Sequence, residues 1–300
     1  MKKINRWAVV ILLIGALCAL TACGHKSSNS ENKATIVIGT KNFTENLIVG
    51  EVYALALEDA GYTVKRVPNI AGSVIHSSLI NKEIDMYPEY TGTGLLSILK
   101  LDLMTDPKKV YETVKAEYEK QFQVTWLNYS EANDGAGLVI RSDLSKQLGI
   151  TTISDLQKHA SQLRFASQGE VDQREDGIPA LEKVYGKFDW KSSKVYDNSL
   201  KYEILRNNEA DVAPAYTTEG QLVNTNEFTL LKDDKQVWPP YNLAPVICDE
   251  VLKANPNIAQ VINKVSAAMN ISNITALNAK VDVNKEEYED VAKEFYESIQ

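Results

Sequence analysis

The sequence predicts an α/β protein made of two related lobes. Three observations predict it. Short apolar runs alternate with segments of helical period, as in parallel sheets covered by helices. A sixteen-residue motif recurs at a constant offset of 126 residues. The 300-residue length exceeds one ordinary core.

The elements follow in order. Lys2, Lys3 and Arg6 precede an apolar run from Trp7 to Leu20, too short for a bilayer span of about 20 residues. Thr21-Ala22-Cys23-Gly24 follows. A basic head, a short apolar stretch and small residues describe a secretory signal peptide over 1–22. Cys23 resembles the lipidated cysteine of a bacterial lipobox, and 25–33 form a polar, flexible tether. Cleavage would remove Lys2, Lys3 and Arg6 and no acid, leaving a more acidic chain.

Thr35–Gly39 reads as a buried strand. Thr44 is expected to cap a helix running to about Asp59, with Gly61 ending it. Thr63–Val67 is a second strand, Ser73 caps a helix through Ile80, and Ile84–Tyr87 is a third strand. Further strands are expected at Gly137–Arg141, Leu163–Ala166, Ser193–Tyr196 and Phe228–Leu231. Residues 257–270 and 284–299 carry helical periodicity.

The repeat aligns Leu79–Gly94 with Leu205–Gly220, identical at eight of sixteen positions. Each copy reads as helix end, turn, strand and a Pro-x-Tyr-Thr-x-x-Gly loop. Such a loop lies beyond the carboxyl end of its strand, where open α/β sheets bind ligands. Asp, Pro and Gly are ordinary turn residues, so shared turn chemistry is the alternative. Tyr-Thr has no turn role and favours a ligand.

The tyrosines outnumber the phenylalanines, 14 to six, and Tyr90, Tyr216 and Tyr241 fall in expected loops. Exposed ring faces between lobes suit a quaternary ammonium, which has no N–H to donate. Threonine hydroxyls with a nearby Asn or Arg would hold a carboxylate tail. Arg174 sits in a polar loop suited to that; an ion pair with Glu175 or Asp176 is the alternative. Trp238-Pro239-Pro240-Tyr241 reads as a rigid aromatic loop or a crossover brace.

Other classes are disfavoured. A net charge of −8 argues against a nucleic-acid surface. Three Cys cannot form a disulfide framework; Cys248 reads as a buried filler. No nucleophile elbow, phosphate loop or dinucleotide fingerprint occurs, and His25, His76 and His159 lack metal spacing. The sequence therefore asks for no enzyme chemistry, cofactor or metal.

Three segments carry a family resemblance: Gly39-Thr-Lys41-Asn42-Phe43-Thr44-Glu45, Glu83-Ile-Asp85-Met-Tyr-Pro88-Glu89-Tyr90-Thr91-Gly92-Thr93-Gly94, and Trp238-Pro239-Pro240-Tyr241-Asn-Leu-Ala-Pro245. Over roughly 34–298 the chain resembles the substrate-binding lipoproteins of osmoprotectant ABC importers, which take glycine betaine, carnitine or choline. The resemblance implies a type II periplasmic-binding-protein fold. Its first lobe would comprise 34–136 with 240–300, and its second 137–239. It also implies a tyrosine cage for a trimethylammonium head, a permease and ATPase as partners, and lipid anchorage outside the cell membrane. By motif position the resemblance implies Tyr90, Tyr216 and Tyr241 as cage residues, and the loop reading adds Thr91, Thr93 and Thr217 to the expected ligand-contacting set. Asn133, Asp134, Arg174, Thr44 and Ser73 complete it.

One departure stands out. The family usually has Asn-Asn-Thr-Tyr-Ala-Leu at the first crossover, whereas this chain has Asn133-Asp134-Gly135-Ala136-Gly137-Leu138. Ala136 takes the place of a cage tyrosine. The wider pocket, with an acid at Asp134, suits a bulkier betaine such as ergothioneine. A surface adhesin or sensor module on the same fold is the alternative function; a hydrolase would need a nucleophile–base pair that is not visible.

Overall fold

Two five-stranded sheets organise the protein, seen in a computed structural model that describes residues 34–173 and 177–300. The segments read as signal peptide (1–22) and tether (25–33), together with Cys23 and Arg174, lie outside the described residues. The strands are β1 (Thr35–Lys41), β2 (Thr63–Ile70), β3 (Met86–Tyr90), β4 (Val124–Trp126), β5 (Ala136–Arg141), β6 (Arg164–Ser167), β7 (Ser192–Val195), β8 (Val212–Tyr216), β9 (Phe228–Leu230) and β10 (Leu243–Cys248). One sheet runs β2-β1-β3-β10-β4, the other β7-β6-β8-β5-β9. In both, three strands are parallel and the last two pair antiparallel. Each lobe thus borrows one strand, β10 or β5, that arrives after the chain has crossed over. This is the type II periplasmic-binding-protein arrangement.

The inner parallel strands β1, β3, β6 and β8 are largely buried between covering helices, whereas the edge strands β2 and β7 are polar and mostly exposed. The Thr44–Asp59 helix buries Ile48, Val52 and Leu57 in the first core, but also Glu45, Asn46 and Glu51. It is enclosed on nearly every side, between its sheet and the helices Asn257–Ser266, Ile271–Asp282 and Tyr288–Ser298. Its N-cap residue is Phe43, not Thr44, whose hydroxyl instead donates to Asp282 Oδ1 at 2.6 Å. The next helix starts at Ile75 after Val74, without a cap from Ser73. The expected helix over 257–270 ends at Ser266, and a further helix that was not expected, Ile271–Asp282, follows it, with Asn270 Oδ1 capping it by accepting the Asn273 N–H at 2.9 Å. Pro107–Phe122 is a helix that the apolar pattern did not suggest. Its signal is the Asp106 cap followed by Pro107 in the first turn.

The repeat is structural. Lys82 and Asn208, equivalent at 126 residues, both hold left-handed backbone, φ 61° and 57°. Asp85 and Asp211 then tie the turn to the neighbouring parallel strand. Asp85 Oδ2 accepts the Val37 N–H at 2.7 Å, and Asp211 Oδ2 accepts the Arg164 N–H at 2.8 Å. In return the Asp85 and Asp211 N–H groups donate to the Val37 and Arg164 carbonyls at 2.7 and 2.9 Å. Asp85→Ala leaves the Val37 amide without its acceptor and is expected to cost about 1–2 kcal/mol in urea unfolding.

Two polar residues have structural settings. Cys248 is buried, its thiol pushed up to about 11 by burial. His76 packs edge-on against Tyr118 and Phe122, and burial lowers its imidazole below the ordinary range.

Candidate functional site

The carboxyl ends of the parallel strands face a cavity of about 530 Å³ between the two sheets. From the first lobe, the turn Lys41-Asn42-Phe43 is held by Asn46. Its Oδ1 accepts the Lys41 N–H at 2.6 Å and its Nδ2 donates to the Pro88 carbonyl at 2.9 Å. This clamp places Phe43 6.0 Å from Tyr90, ring centre to ring centre. Tyr90 is the last residue of β3, not a loop residue, and is 4 % exposed. Its hydroxyl donates to Glu45 Oε1 at 2.8 Å. Lys41 Nζ lies 5.1 Å from the Tyr90 ring centre and is bound to Glu89.

The second lobe repeats the device. Tyr216 ends β8, 44 % exposed, with Lys201 Nζ 5.9 Å from its ring centre. Lys201 is bound to Glu219, which the Tyr202 hydroxyl also approaches. Each lobe therefore presents a strand-terminal tyrosine beside a lysine neutralised by its own glutamate.

The crossovers are latched by the threonines after those tyrosines. The Thr91 hydroxyl donates to the Pro240 carbonyl at 2.9 Å and accepts the Asn242 N–H at 3.0 Å. The Thr217 hydroxyl donates to the Asn133 carbonyl at 2.5 Å and accepts the Gly135 N–H at 2.9 Å. Their own N–H groups donate to Asn242 and Gly135 carbonyls. Both hydroxyls are committed to the backbone, so neither has the carboxylate-holding role expected from sequence. Asn133 belongs to the same latch: it bridges Asn242, and its Oδ1 accepts the Tyr241 N–H at 2.7 Å.

This near-symmetry makes Asp134 the counterpart of Tyr241, and both line the cavity. The Tyr241 ring lies against Gly92, where a Cβ would stand 2.7 Å from its carbons. Only glycine permits that approach. Asp134 Oδ1 is 2.7 Å from Thr218 Oγ1, which is also 2.6 Å from Glu45 Oε2. Asn278 Nδ2 donates to Glu45 Oε2 at 3.2 Å and to the Thr218 carbonyl at 2.8 Å. Burial pushes both carboxyls up, Asp134 to about 8, against hydrogen bonding from Thr218 that pulls them down.

Of the residues expected at the site, Tyr90, Thr93, Asp134, Tyr216, Tyr241 and Thr44 line the cavity. Thr91, Thr217 and Asn133 support it from the crossovers. Ser73 is exposed in a turn and is not among the lining residues. Ala136 lies opposite Tyr216 in the β5–β8 ladder, where Leu243 faces Tyr90 in the first lobe. Its methyl group leaves the space beside Tyr216 open, and Trp238 also borders the cavity. Sequence reasoning missed Glu45, Thr218, Asn278 and Lys41 as lining residues. Glu45 and Thr218 are 173 residues apart, and no local pattern joins them.

The arrangement offers ring faces and two buried carboxyls, with no nucleophile beside a base among the groups described above. Comparison with known proteins agrees. A family described as the substrate binding domain of ABC-type glycine betaine transport systems matches residues 34–298. The carnitine transport binding protein OpuCC of Listeria monocytogenes is 32 % identical over 290 residues, covering 95 % of this chain and 93 % of that protein. The ergothioneine transport permease/ergothioneine binding protein EgtU of Helicobacter pylori is 32 % identical over 273 residues, 90 % of this chain and 49 % of that one. A crystal structure of a glycine betaine/carnitine/choline ABC transporter superposes with a TM-score of 0.82 at 28 % identity, covering 89 % of this chain and 98 % of that one. These are solute-binding proteins, not enzymes, and the chain belongs with them to the family of substrate-binding domains of ABC-type glycine betaine transport systems.

Proposed function

We propose that the chain captures a trimethylammonium compound outside the cell membrane, held there by lipid on Cys23, and delivers it to an ABC permease and its ATPase. The observation that carries the ligand class is the convergence of Tyr90, Tyr216 and Tyr241 on one cavity beside Glu45 and Asp134. Ring faces attract a cation that cannot donate a hydrogen bond, and buried carboxyls supply the counter-charge. Carnitine, glycine betaine, choline and ergothioneine share that head. The space beside Ala136 supports the bulkier members, carnitine and ergothioneine, since their tails exceed what glycine betaine would fill.

Calorimetric titration with the four compounds tests this reading. At least one should bind at micromolar concentration or below; no heat with any of them refutes the ligand class. Tyr90→Ala and Tyr216→Ala are each expected to cost at least about 1–2 kcal/mol of affinity. Tyr90→Ala should cost more, because it also strips a hydrogen bond from Glu45. Unchanged affinity in both variants refutes the cage. The anchor is tested separately: Cys23→Ala should release the protein from membranes into the medium.

A further inference from the structure

We infer that Glu45 and Asp134 share a single proton through the Thr218 hydroxyl, and that a quaternary-ammonium ligand binds with release of that proton. The inference rests on the cation-binding reading above. Thr218 Oγ1 stands 2.6 Å from Glu45 Oε2 and 2.7 Å from Asp134 Oδ1. A hydroxyl donates once, so it satisfies one carboxylate only; the other carboxyl must donate to it. Were both ionised, one short contact would set a carboxylate oxygen against a hydroxyl lone pair.

The neighbours place the proton. Glu45 already accepts from the Tyr90 hydroxyl at 2.8 Å and from Asn278 Nδ2 at 3.2 Å, which suits the ionised form. Among the described residues the Asp134 carboxyl meets the Thr218 hydroxyl and backbone and has no second side-chain donor. The proton therefore rests on Asp134, which donates to Thr218, which donates to Glu45. Burial and the negative charges of Glu45 and Glu219 keep Asp134 protonated to about pH 8.

Among the described residues, the other charged groups around the pair have partners of their own. Glu219, after β8, is held by Lys201 and Tyr202. Lys41, at the end of β1, is held by Glu89 of β3. Asp282, on the Ile271–Asp282 helix, accepts from Thr44, and that helix turns Asn278 toward Glu45. Tyr90 donates to Glu45, and burial together with those carboxyls keeps its phenol well above its ordinary range. A fixed positive charge entering the cavity stabilises two carboxylates there and expels the proton to solvent.

Linkage gives the sign. Below about pH 8 binding is accompanied by proton loss, so affinity rises with pH. The limit is tenfold per unit for one proton, and the rise levels off above about pH 8. Without ligand the dependence of stability is opposite. The unfolded chain loses the Asp134 proton near pH 4 and the folded chain keeps it, so this group lowers stability as pH rises from about 4 to about 8.

The test uses choline, glycine betaine and carnitine, whose quaternary nitrogen cannot titrate. Calorimetry is run at pH 6, 7, 8 and 9 in two buffers of different ionisation enthalpy. The expected result is an affinity gain approaching tenfold per unit from pH 6 to 8, a plateau above, and a buffer-dependent heat near one proton released at pH 7. Asp134→Asn, which keeps a donor toward Thr218, should bind with no pH dependence. Equal affinity at pH 6 and 8 with no buffer-dependent heat overturns the inference, even if the Asn variant does not fold. If no compound binds at any pH, the ligand class fails and the proton is judged by itself. The carboxyl ¹³C resonance that Asp134→Asn removes should then titrate near pH 8 in the ligand-free protein. A midpoint near 4 overturns the shared proton.

Discussion

Lys41→Met is expected to lower the stability of the protein by about 3–5 kcal/mol, on the order of 10 °C in melting temperature. Lys41 and Glu89 form an ion pair whose side chains are 8 % and 1 % exposed. Glu89 also takes the Tyr87 hydroxyl at 3.0 Å and the Tyr90 N–H at 2.8 Å. Removing the ammonium leaves a carboxylate with no counter-charge in the first core, and two hydrogen bonds do not offset that desolvation. Truncating one partner is the costly step, and the pair as a whole contributes far less. Lys41→Met combined with Glu89→Gln should therefore recover much of the loss. Urea unfolding of the single and double variants measures the difference. A loss below about 1 kcal/mol in the single variant would mean that water reaches Glu89.

The same pair shows what was legible in the sequence. Gly39-Thr-Lys41-Asn42-Phe43-Thr44-Glu45 stood out as a motif, yet its chemistry is long-range. Lys41 meets Glu89 across 48 residues and Glu45 meets Thr218 across 173. A Glu in the first turn of a helix reads as a partner of the helix dipole, and nothing local says it points into a cavity. The repeat was legible because the same residues recur at one constant offset, whatever they contact. Lys82 and Asn208 turn the backbone, and Asp85 and Asp211 satisfy amides 48 and 47 residues away, so only the recurrence and not the contact could be read. Tyr90 and Tyr216 were found through that repeat. The repeat also marks their threonines, but not their crossover role, because a latch such as that of Thr91 on a segment 149 residues away has no sequence period. The helix Thr44–Asp59 kept its bounds although polar residues are buried on it. Its enclosure by three helices, not an amphipathic face, decides which side chains are covered.

Gly220→Ala should weaken ligand binding by about 3 kcal/mol, roughly a hundredfold or more, with a smaller loss of stability. Gly220 opens the Gly220–Val223 turn after β8 and packs on the Ile271–Asp282 helix of the first lobe. A Cβ there would stand 2.6 Å from the Ala279 nitrogen and 2.7 Å from the Asn278 carbonyl carbon. Both are helix backbone and cannot swing aside, so the turn must lift. Lifting it draws the Thr218 carbonyl from Asn278 and the Thr218 hydroxyl from Glu45, two bonds that join the lobes beside the cavity. Gly94, the counterpart at 126 residues, is glycine for another reason. Its added Cβ would meet the Trp126 ring at 2.7 Å, in the first lobe's second cluster of buried side chains around Tyr118 and Leu95. Gly94→Ala should therefore cost about 1–3 kcal/mol of stability by overpacking and leave affinity within a few-fold of wild type. The two variants separate a seam between lobes from a core contact within one. Calorimetric affinity for a bound trimethylammonium compound, set beside urea unfolding of each, reads them apart. Equal affinity losses in both would place Gly220 in ordinary packing, not at the seam that closes on the ligand.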